Sequence, residues 1–399
     1  MPMKFLPFHY AVRNLGRSRL RLALSVGGSA AVVLLVLAAA AFVRGMERSL
    51  RASGSERNVI LMGAGSEESL ERSEISPTVA SIVAATLPGL ESRLGVVYAS
   101  PEVHVAVPLA TSPDADPARA SAATLAVLRG VTSTAYLVHP QVQITEGRAP
   151  APGRNEMMAG ALAAAKMGLR PDQVAPGSTL YLDGVPWTIV GRFTAPGSVM
   201  DSELWAPLQD LKVALRRTTD SCVIVTLASG PDGAEFADVD TFAKQRLDLE
   251  LVAVGEADYY ASLARFYAPV RALAWTTAAL IALGGLFGGL NTMYAAFAAR
   301  VRELGMLQVL GFRRSAIVAS LVQESTLATA AGALIAAGMG VLLLDGLAVR
   351  FSMGAFTLTV DAPAMATALG AGVLLGLAGA LPPAYRCLRL PIPDSLKAF

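Results

Sequence analysis

The sequence predicts an α-helical membrane protein with four transmembrane helices plus an α+β extracytoplasmic domain inserted between helices 1 and 2. Three observations predict it. Only 16% of the 399 residues are charged and mean hydropathy is +0.50, whereas a soluble domain carries about 25% charged residues. Four apolar stretches exceed the ~20 residues that a helix needs to cross a bilayer. The remaining charges are sorted by segment in a way that fixes one orientation, because Lys and Arg are retained on the cytoplasmic side.

The opening segment, 1–21, carries Lys4, Arg13, Arg17, Arg19 and Arg21 with no acid. The first span, 22–43, is uncharged. A basic start and Ala38-Ala39-Ala40 also fit a cleaved signal peptide, but the apolar run has 22 residues, long for the ~7–15 of a signal core, so it reads as a retained span. The second span, 272–299, is uncharged, and the third, 315–344, holds one ionisable group, Glu324. Between them, 300–314 sets Arg300, Arg302, Arg313 and Arg314 against Glu303. The short external loop 345–361 has Arg350 against Asp345 and Asp361, and the fourth span, 362–385, ends on the Pro382-Pro383 pair. The tail 386–399 carries Arg386, Arg389 and Lys397 against Asp394. Together 1–21, 300–314 and 386–399 hold 12 basic and 2 acidic residues, while 44–271 holds 20 basic and 26 acidic. Both termini are therefore expected in the cytoplasm, with 44–271 outside.

Within 44–271 the pattern is α+β. Ser76-Pro77 reads as an N-cap followed by proline at the first helical position, starting a helix to Leu87. Val96 to Leu109 has the β-branched content of strands, interrupted at Pro101. Ser112 to Ala118 is a turn-rich loop. Leu125 to Val131 and Val138 to Ile144 read as strands, and Thr179 to Phe193 as a hairpin around Asp183-Gly184. A helix from Pro207, a strand from Cys222, a helix from Ala234 and a strand from Leu249 follow. A stalk helix from Glu256 to Arg271 then runs into the second span without an obvious break.

The chemistry-bearing motifs are few. There is no GxxxxGK[ST] phosphate loop and no Gly-Lys dipeptide, so nucleotide hydrolysis is not expected of this polypeptide. No GxSxG elbow and no HExxH zinc helix is present, which disfavours an anchored hydrolase. Gly370-x-Gly372-x-x-x-Gly376 lies in an uncharged span, so helix packing explains it better than a dinucleotide loop. Asp201-x-Glu203 reads as a solvated loop pair. Cys222 and Cys387 are too few for a disulfide framework or a thiolate metal site, and His9, His104 and His139 show no ligand spacing. The net charge of +2 gives no argument for a polyanionic partner, and no nucleic-acid partner is expected. Gly284-x-x-x-Gly288, Gly285-x-x-x-Gly289 and Gly372-x-x-x-Gly376 have a spacing that lets helices approach closely in lipid, within one subunit or across a subunit seam. Glu324, costly at such depth, is expected to anchor a neighbouring helix by hydrogen bonding; no further acid or His accompanies it as a relay would require. In 300–314, Leu304, Met306, Leu307, Val309 and Leu310 give a short helix something to bury, and Gly311 would end it.

Several segments carry a family resemblance. Tyr10 to Arg21 (YAVRNLGRSRLR) resembles the amphipathic elbow of MacB/FtsX-type ABC transporter permeases. The run from Ala299 to Ile317 (ARVRELGMLQVLGFRRSAI), continuing to Gln323-Glu324-Ser325, is similar to the family's RxxElGxLxxlGxxrxxI…E signature. Arg129-Gly-Val-Thr, the run from Glu146 to Glu156 (EGRAPAPGRNE) and Trp187-Thr-Ile-Val-Gly resemble its periplasmic core domain, and Ile392-Pro-Asp-Ser-Leu its closing segment.

The resemblance implies a permease subunit, in the bacterial inner membrane, that works by mechanotransmission. Two permease subunits, identical or different, would pair with a separate ABC ATPase that binds ATP and Mg, so this chain itself needs no cofactor. Matched to the signature, the ATPase-coupling residues would be Arg302, Glu303, Leu304, Gly305, Leu310, Gly311 and Arg313. Substrate would be exported or extracted outside the membrane, with a periplasmic adaptor or outer-membrane partner as further company. The alternative is an FtsX-like signalling subunit that regulates an extracytoplasmic hydrolase or sensor partner. The external motif glycines Gly147, Gly153 and Gly191 are expected to serve turns and not a ligand.

Overall fold

A computed structural model describes residues 8–15, 17–112, 125–351 and 354–389. The closing segment 392–396 and the 112–118 loop beyond Ser112 lie outside the described residues. From the N-terminus, α1 (Phe8–Leu15) leads into α2 (Arg19–Ser53), then β1 (Asn58–Gly63), α3 (Val79–Thr86), β2 (Ser92–Arg93), β3 (Val96–Val97) and β4 (Ala99–Pro108). Next come β5 (Leu125–Val131), α4 (Ala135–Val138), β6 (Gln143–Gly147), β7 (Glu156–Gly160), α5 (Ala163–Met167), β8 (Thr179–Leu182) and β9 (Val185–Thr194). They are followed by β10 (Glu203–Pro207), α6 (Leu208–Ala214), β11 (Cys222–Thr226), α7 (Phe236–Gln245), β12 (Leu251–Gly255) and α8 (Glu256–Phe266). The chain continues with α9 (Ala268–Ala298), α10 (Val301–Val309), α11 (Arg314–Leu343), the hairpin β13 (Ala348–Phe351) and β14 (Gly354–Thr357), and α12 (Ala362–Leu388).

These elements form two compact units: residues 1–44, 269–347 and 358–399 in one, and residues 45–268 and 348–357 in the other.

The first unit is helical. α2, α9, α11 and α12 are each long and apolar enough to cross a membrane. Small residues set their packing. A Cβ on Gly376 would lie 2.3 Å from Thr329 Oγ1 and one on Gly372 2.8 Å from the Ala333 Cβ, so the α12 glycines serve contact with α11. Gly332 of α11 likewise admits Ser29 and the Val26 carbonyl of α2, and Gly340 admits Leu37. In α9, Gly285 meets Val32, whereas Gly284, Gly288 and Gly289 meet nothing within 4 Å among the described residues. α12 runs through Pro382-Pro383 to Leu388, three residues past the expected end; proline is tolerated where neighbouring helices cover the freed carbonyls.

The second unit is α+β. Its main sheet has the order β12-β1-β11-β4-β5-β10-β7-β9-β6, with β8 added on β9. Most pairs are antiparallel; β5–β10 and β7–β9 are parallel. One core gathers Leu128, Met157, Leu180, Trp187 and Leu204, and another sets Val79, Val83 and Val239 of α3 and α7 against Val59, Leu61 and Val223. The Asp183-Gly184 hairpin forms as expected, with both residues at positive φ.

Several local expectations are corrected. α3 begins at Val79, with Pro77 outside it. β4 runs unbroken through Pro101 because β5 pairing begins only at Val103, so no ladder partner there misses the proline N–H. Residues 138–144 are not one strand: α4 ends at Val138, His139 caps it, and β6 starts at Gln143. The helix from Glu256 is broken at Tyr267, where Pro269 offers no N–H to the preceding turn. The 345–361 connection carries the β13–β14 hairpin, which belongs to the α+β unit.

Candidate functional site

In the helical unit, charged side chains converge on Glu324, which is 5% exposed. Its Oε2 accepts from Arg300 Nη1 at 2.9 Å and its Oε1 from Arg21 Nη2 at 3.1 Å. Arg300 also reaches Glu303 at 3.3 Å and donates to the Tyr10 hydroxyl at 3.4 Å, and Glu303 pairs with Arg17 at 2.7 Å. The network therefore joins α1, the start of α2, α10 and α11. A buried carboxylate is tolerable only with such partners, and removing one side of a buried pair leaves a charge uncompensated at about 3–5 kcal/mol. Glu324 is thus ion-paired from two sides, and its partners are arginines of 1–21 and 300–314.

α10 is the short helix expected in the 300–314 segment. It ends as Gly311 allows: φ there is +89°, the Gly311 N–H donates to Gln308 O at 3.1 Å and the Phe312 N–H to Leu307 O at 3.1 Å, the paired bonds of a Schellman cap. The helix has two apolar faces. Leu304 is 1% exposed and packs with Met293, Phe297, Ile317, Leu321, Ala384 and Leu388; Val301 and Gly305 are buried beside it. Met306, Val309 and Leu310 are exposed, Leu310 to 65%. Of the residues matched to the coupling signature, Leu304 and Gly305 therefore face the helical core, Glu303 serves the ion-pair network, and Arg302, Leu310, Gly311 and Arg313 are exposed.

The α+β unit holds a second polar cluster that sequence spacing missed. Arg129 of β5, 1% exposed, donates to both oxygens of Glu203 on β10 and to Glu102 on β4, each at 2.7 Å. Glu102 also faces His104 Nε2 at 3.1 Å and His139 Nε2 at 2.9 Å, and Trp205 Nε1 donates to Glu203 at 2.8 Å. Burial alone would raise the Glu102 carboxyl; His139, Arg129 and the two imidazole hydrogen bonds outweigh it and hold Glu102 well below the usual carboxylate range. The same contest, decided by Arg129, keeps Glu203 low. Burial and then Arg129 repulsion push His104 down. Glu203 is thus no solvated loop acid. Asp201, also buried, accepts from Ala195 N at 2.6 Å and Thr194 Oγ1 at 3.2 Å, so the two acids serve different partners.

The donor atoms of Glu102, His104 and Cys222 lie within 4.8 Å of one another. That spacing invites a metal ion, but the carboxylate is already committed to a guanidinium and two imidazoles, and burial keeps Cys222 a neutral thiol. The residues fit a polar core better than a metal centre. The external motifs are structural too. Arg148 closes the 146–156 loop on Glu156 with two 2.6 Å bonds, and Gly147 and Gly153 take positive φ. A Cβ on Gly191 would lie 2.3 Å from Arg148 O.

Comparison with known proteins finds two family matches along the chain. A family described as the MacB-like periplasmic core domain matches residues 22–239, and the FtsX-like permease C-terminal family matches 275–392. The macrolide export ATP-binding/permease protein MacB of Burkholderia lata is 26% identical over 230 residues, 55% of this chain and 33% of that protein. The chain thus spans about a third of the length of that relative. Among solved structures, the periplasmic region of MacB from Actinobacillus actinomycetemcomitans aligns with TM-score 0.38 and 12% identity, covering 55% of this chain and 97% of that one. The extracellular domain of the ABC-type transporter YknZ from Gram-positive bacteria aligns with TM-score 0.36 and 14% identity, over 49% and 99%.

Proposed function

We infer the mechanism from one premise: the chain belongs to the MacB/FtsX-type ABC transporter permease family, multi-pass membrane proteins with an extracytoplasmic domain. The reading is a permease subunit that transmits force. A separate ATPase binds ATP and Mg, grips the 300–314 segment from the cytoplasm, and its closure is carried to the external domain, where an envelope substrate is exported or extracted. Both termini lie in the cytoplasm, the membrane is the bacterial inner membrane, and the subunit works as a pair.

The observation that carries this reading is the two-faced α10. Its inner face is fixed to three long helices through Leu304. Its outer edge of Met306, Val309 and Leu310 is apolar and uncovered, the arrangement by which a helix seats in a partner's groove. The Glu324 network supports the second half of the reading. A displacement of α10 pulls on Arg300, hence on Glu324 and Arg21, and Arg21 lies in the first turn of a helix that runs unbroken to Ser53.

The test is purification of the tagged full chain from its native membrane with identification of co-purifying proteins. The reading expects an ABC ATPase that is lost from the Leu310→Glu variant. An ATPase retained in full by Leu310→Glu and Val309→Glu would move the docking site elsewhere. A hydrolase or sensor kinase captured with the ATPase, with no adaptor or outer-membrane channel, would replace transport by regulation.

A further inference from the structure

His139 sits at the junction of the buried cluster and the two chain segments that open and close the main part of the α+β unit. It is fully buried, with one ring nitrogen toward each of two carboxylates. Nε2 meets Glu102 Oε1 at 2.9 Å. Because Glu102 is held ionised, that contact requires an N–H on Nε2, which fixes the tautomer. The variable proton is therefore the one on Nδ1. Nδ1 lies 3.9 Å from Glu256 Oε1, and neither atom has a hydrogen-bond partner among the described residues. Two buried polar atoms left this way are costly, and a single proton between them satisfies both once the gap shortens to hydrogen-bond length.

Glu256 is also the knot of the junction. It is the first residue of α8, and its Oε2 accepts from the Ser55 N–H at 2.9 Å and from Asn58 Nδ2 at 2.9 Å. Asn58 in turn donates to Val138 O at 3.2 Å, the residue before His139. The chain just past α2 and the chain opening α8 are thus tied through one carboxylate whose free oxygen faces His139. We propose that the His139–Glu256 gap is a proton-operated clasp, which one proton closes into a hydrogen bond and whose emptying sets two lone pairs against each other and loosens the tie between Ser55 and α8.

The charged and titratable surroundings favour such behaviour. Glu102 and His104 approach from β4, Arg129 from β5, Glu203 from β10, Cys222 from β11, and Tyr260 from α8 itself. Burial raises Glu256 above the ordinary carboxylate range, so a proton in the gap is held more readily than a free glutamate would hold it. A second proton puts two donors face to face and weakens the clasp again, so the tie is strongest in a middle range of pH. The clasp rests on the reading of this domain as extracytoplasmic only for its exposure to envelope pH; the topology measurement in the Discussion tests that separately.

The chain has three histidines, so isotope-labelled histidine in the full-length protein in detergent gives few NMR signals, and His139→Gln assigns one. The clasp expects the pH dependence of the His139 ring signals to be altered in Glu256→Gln, which removes the carboxylate that shares the proton. Signals whose pH dependence is the same in both proteins overturn the proposal. Hydrogen exchange on the unmodified protein gives a second measurement independent of either variant. Protection of the Ser55 amide, corrected for intrinsic exchange, should pass through a maximum with pH, and protection without pH dependence overturns the clasp.

Discussion

Arg300 and Glu324 stand 24 positions apart and meet at 2.9 Å, one from the junction of α9 and α10, the other from inside α11. Each is nearly buried. The Glu324→Leu variant would take from Arg300 and Arg21 the carboxylate they share, leaving Arg300 only Glu303 and Tyr10 among the described residues, and the expected loss is about 3–5 kcal/mol. Glu324→Gln keeps shape and acceptor oxygen and should cost clearly less. Thermal unfolding of the detergent-solubilised chain measures both; a leucine variant as stable as wild type would show that the network carries no structural role.

On α10 the two apolar faces should separate folding from partner binding. Leu310→Glu changes an exposed side chain and should leave thermal stability within about 0.5 kcal/mol of wild type while abolishing ATPase capture. Leu304→Glu puts a charge into a core of seven apolar neighbours and should reduce the yield of folded protein itself. Arg302→Ala, at an exposed position, should be mild, because surface pairs are worth about 0–1 kcal/mol. Equal behaviour of Leu304→Glu and Leu310→Glu in yield and binding contradicts the assigned orientation.

Arg129→Met fills similar volume but leaves Glu102 and Glu203 facing each other without their shared cation. The expected outcome is a loss of about 3–5 kcal/mol, read as a lower unfolding midpoint of the external domain by near-ultraviolet circular dichroism. The double replacement with Glu203→Gln should recover part of the loss, since one buried charge goes with it. No recovery would mean that Glu203 is not the carboxylate that suffers.

Acid should weaken the same domain in two stages. His104 is lowered in the folded state, so its contribution is present above the unfolded value of about 6.5 and is lost as pH falls below it. Glu102 and Glu203 are also lowered, so theirs is present above about 4.3 and is lost as pH falls toward their depressed folded values. Glu256, raised by burial, works the other way and contributes below about 4.3, fading as pH rises through its folded value. Unfolding midpoints measured across this range should fall with acidification; midpoints independent of pH would remove the cluster from the account.

Orientation is tested by reporter fusions. A reporter placed after Arg314 should be active only in the cytoplasm, and one placed at Asp183 only outside. The reverse at either position would sink the four-span arrangement.

The long helices were legible because lipid-length apolar runs without charge have few other uses, and the Asp183-Gly184 turn because both positions must take positive φ. The break at Tyr267 had a signal, Pro269, that the apolar run concealed. The Glu102–Arg129–His139–Glu203 cluster had none: its members come from β4, β5, β10 and the end of α4, and only the strand order brings them together. Glu324 announced itself by depth, but its partners had to be found in space. The direction in which α10 faces was not readable either, since Leu304 and Leu310 are the same residue type on opposite sides.

The β13–β14 hairpin sets a timetable. Lys166 Nζ donates to Phe351 O at 3.0 Å, the Phe351 ring stacks edge-on against Tyr267 at 5.5 Å, and Gly354 lies against Ser202. The α+β unit therefore includes residues made only after α9, α10 and α11. Domains generally fold as units while the chain emerges from the ribosome; this one gains the Phe351–Tyr267 contact and the Phe351 carbonyl that accepts from Lys166 only after about ninety further residues. Completion of the domain is thereby linked to synthesis of α9, α10 and α11, and a fragment ending at 268 would lack the hairpin that lies against Tyr267 and Ser202.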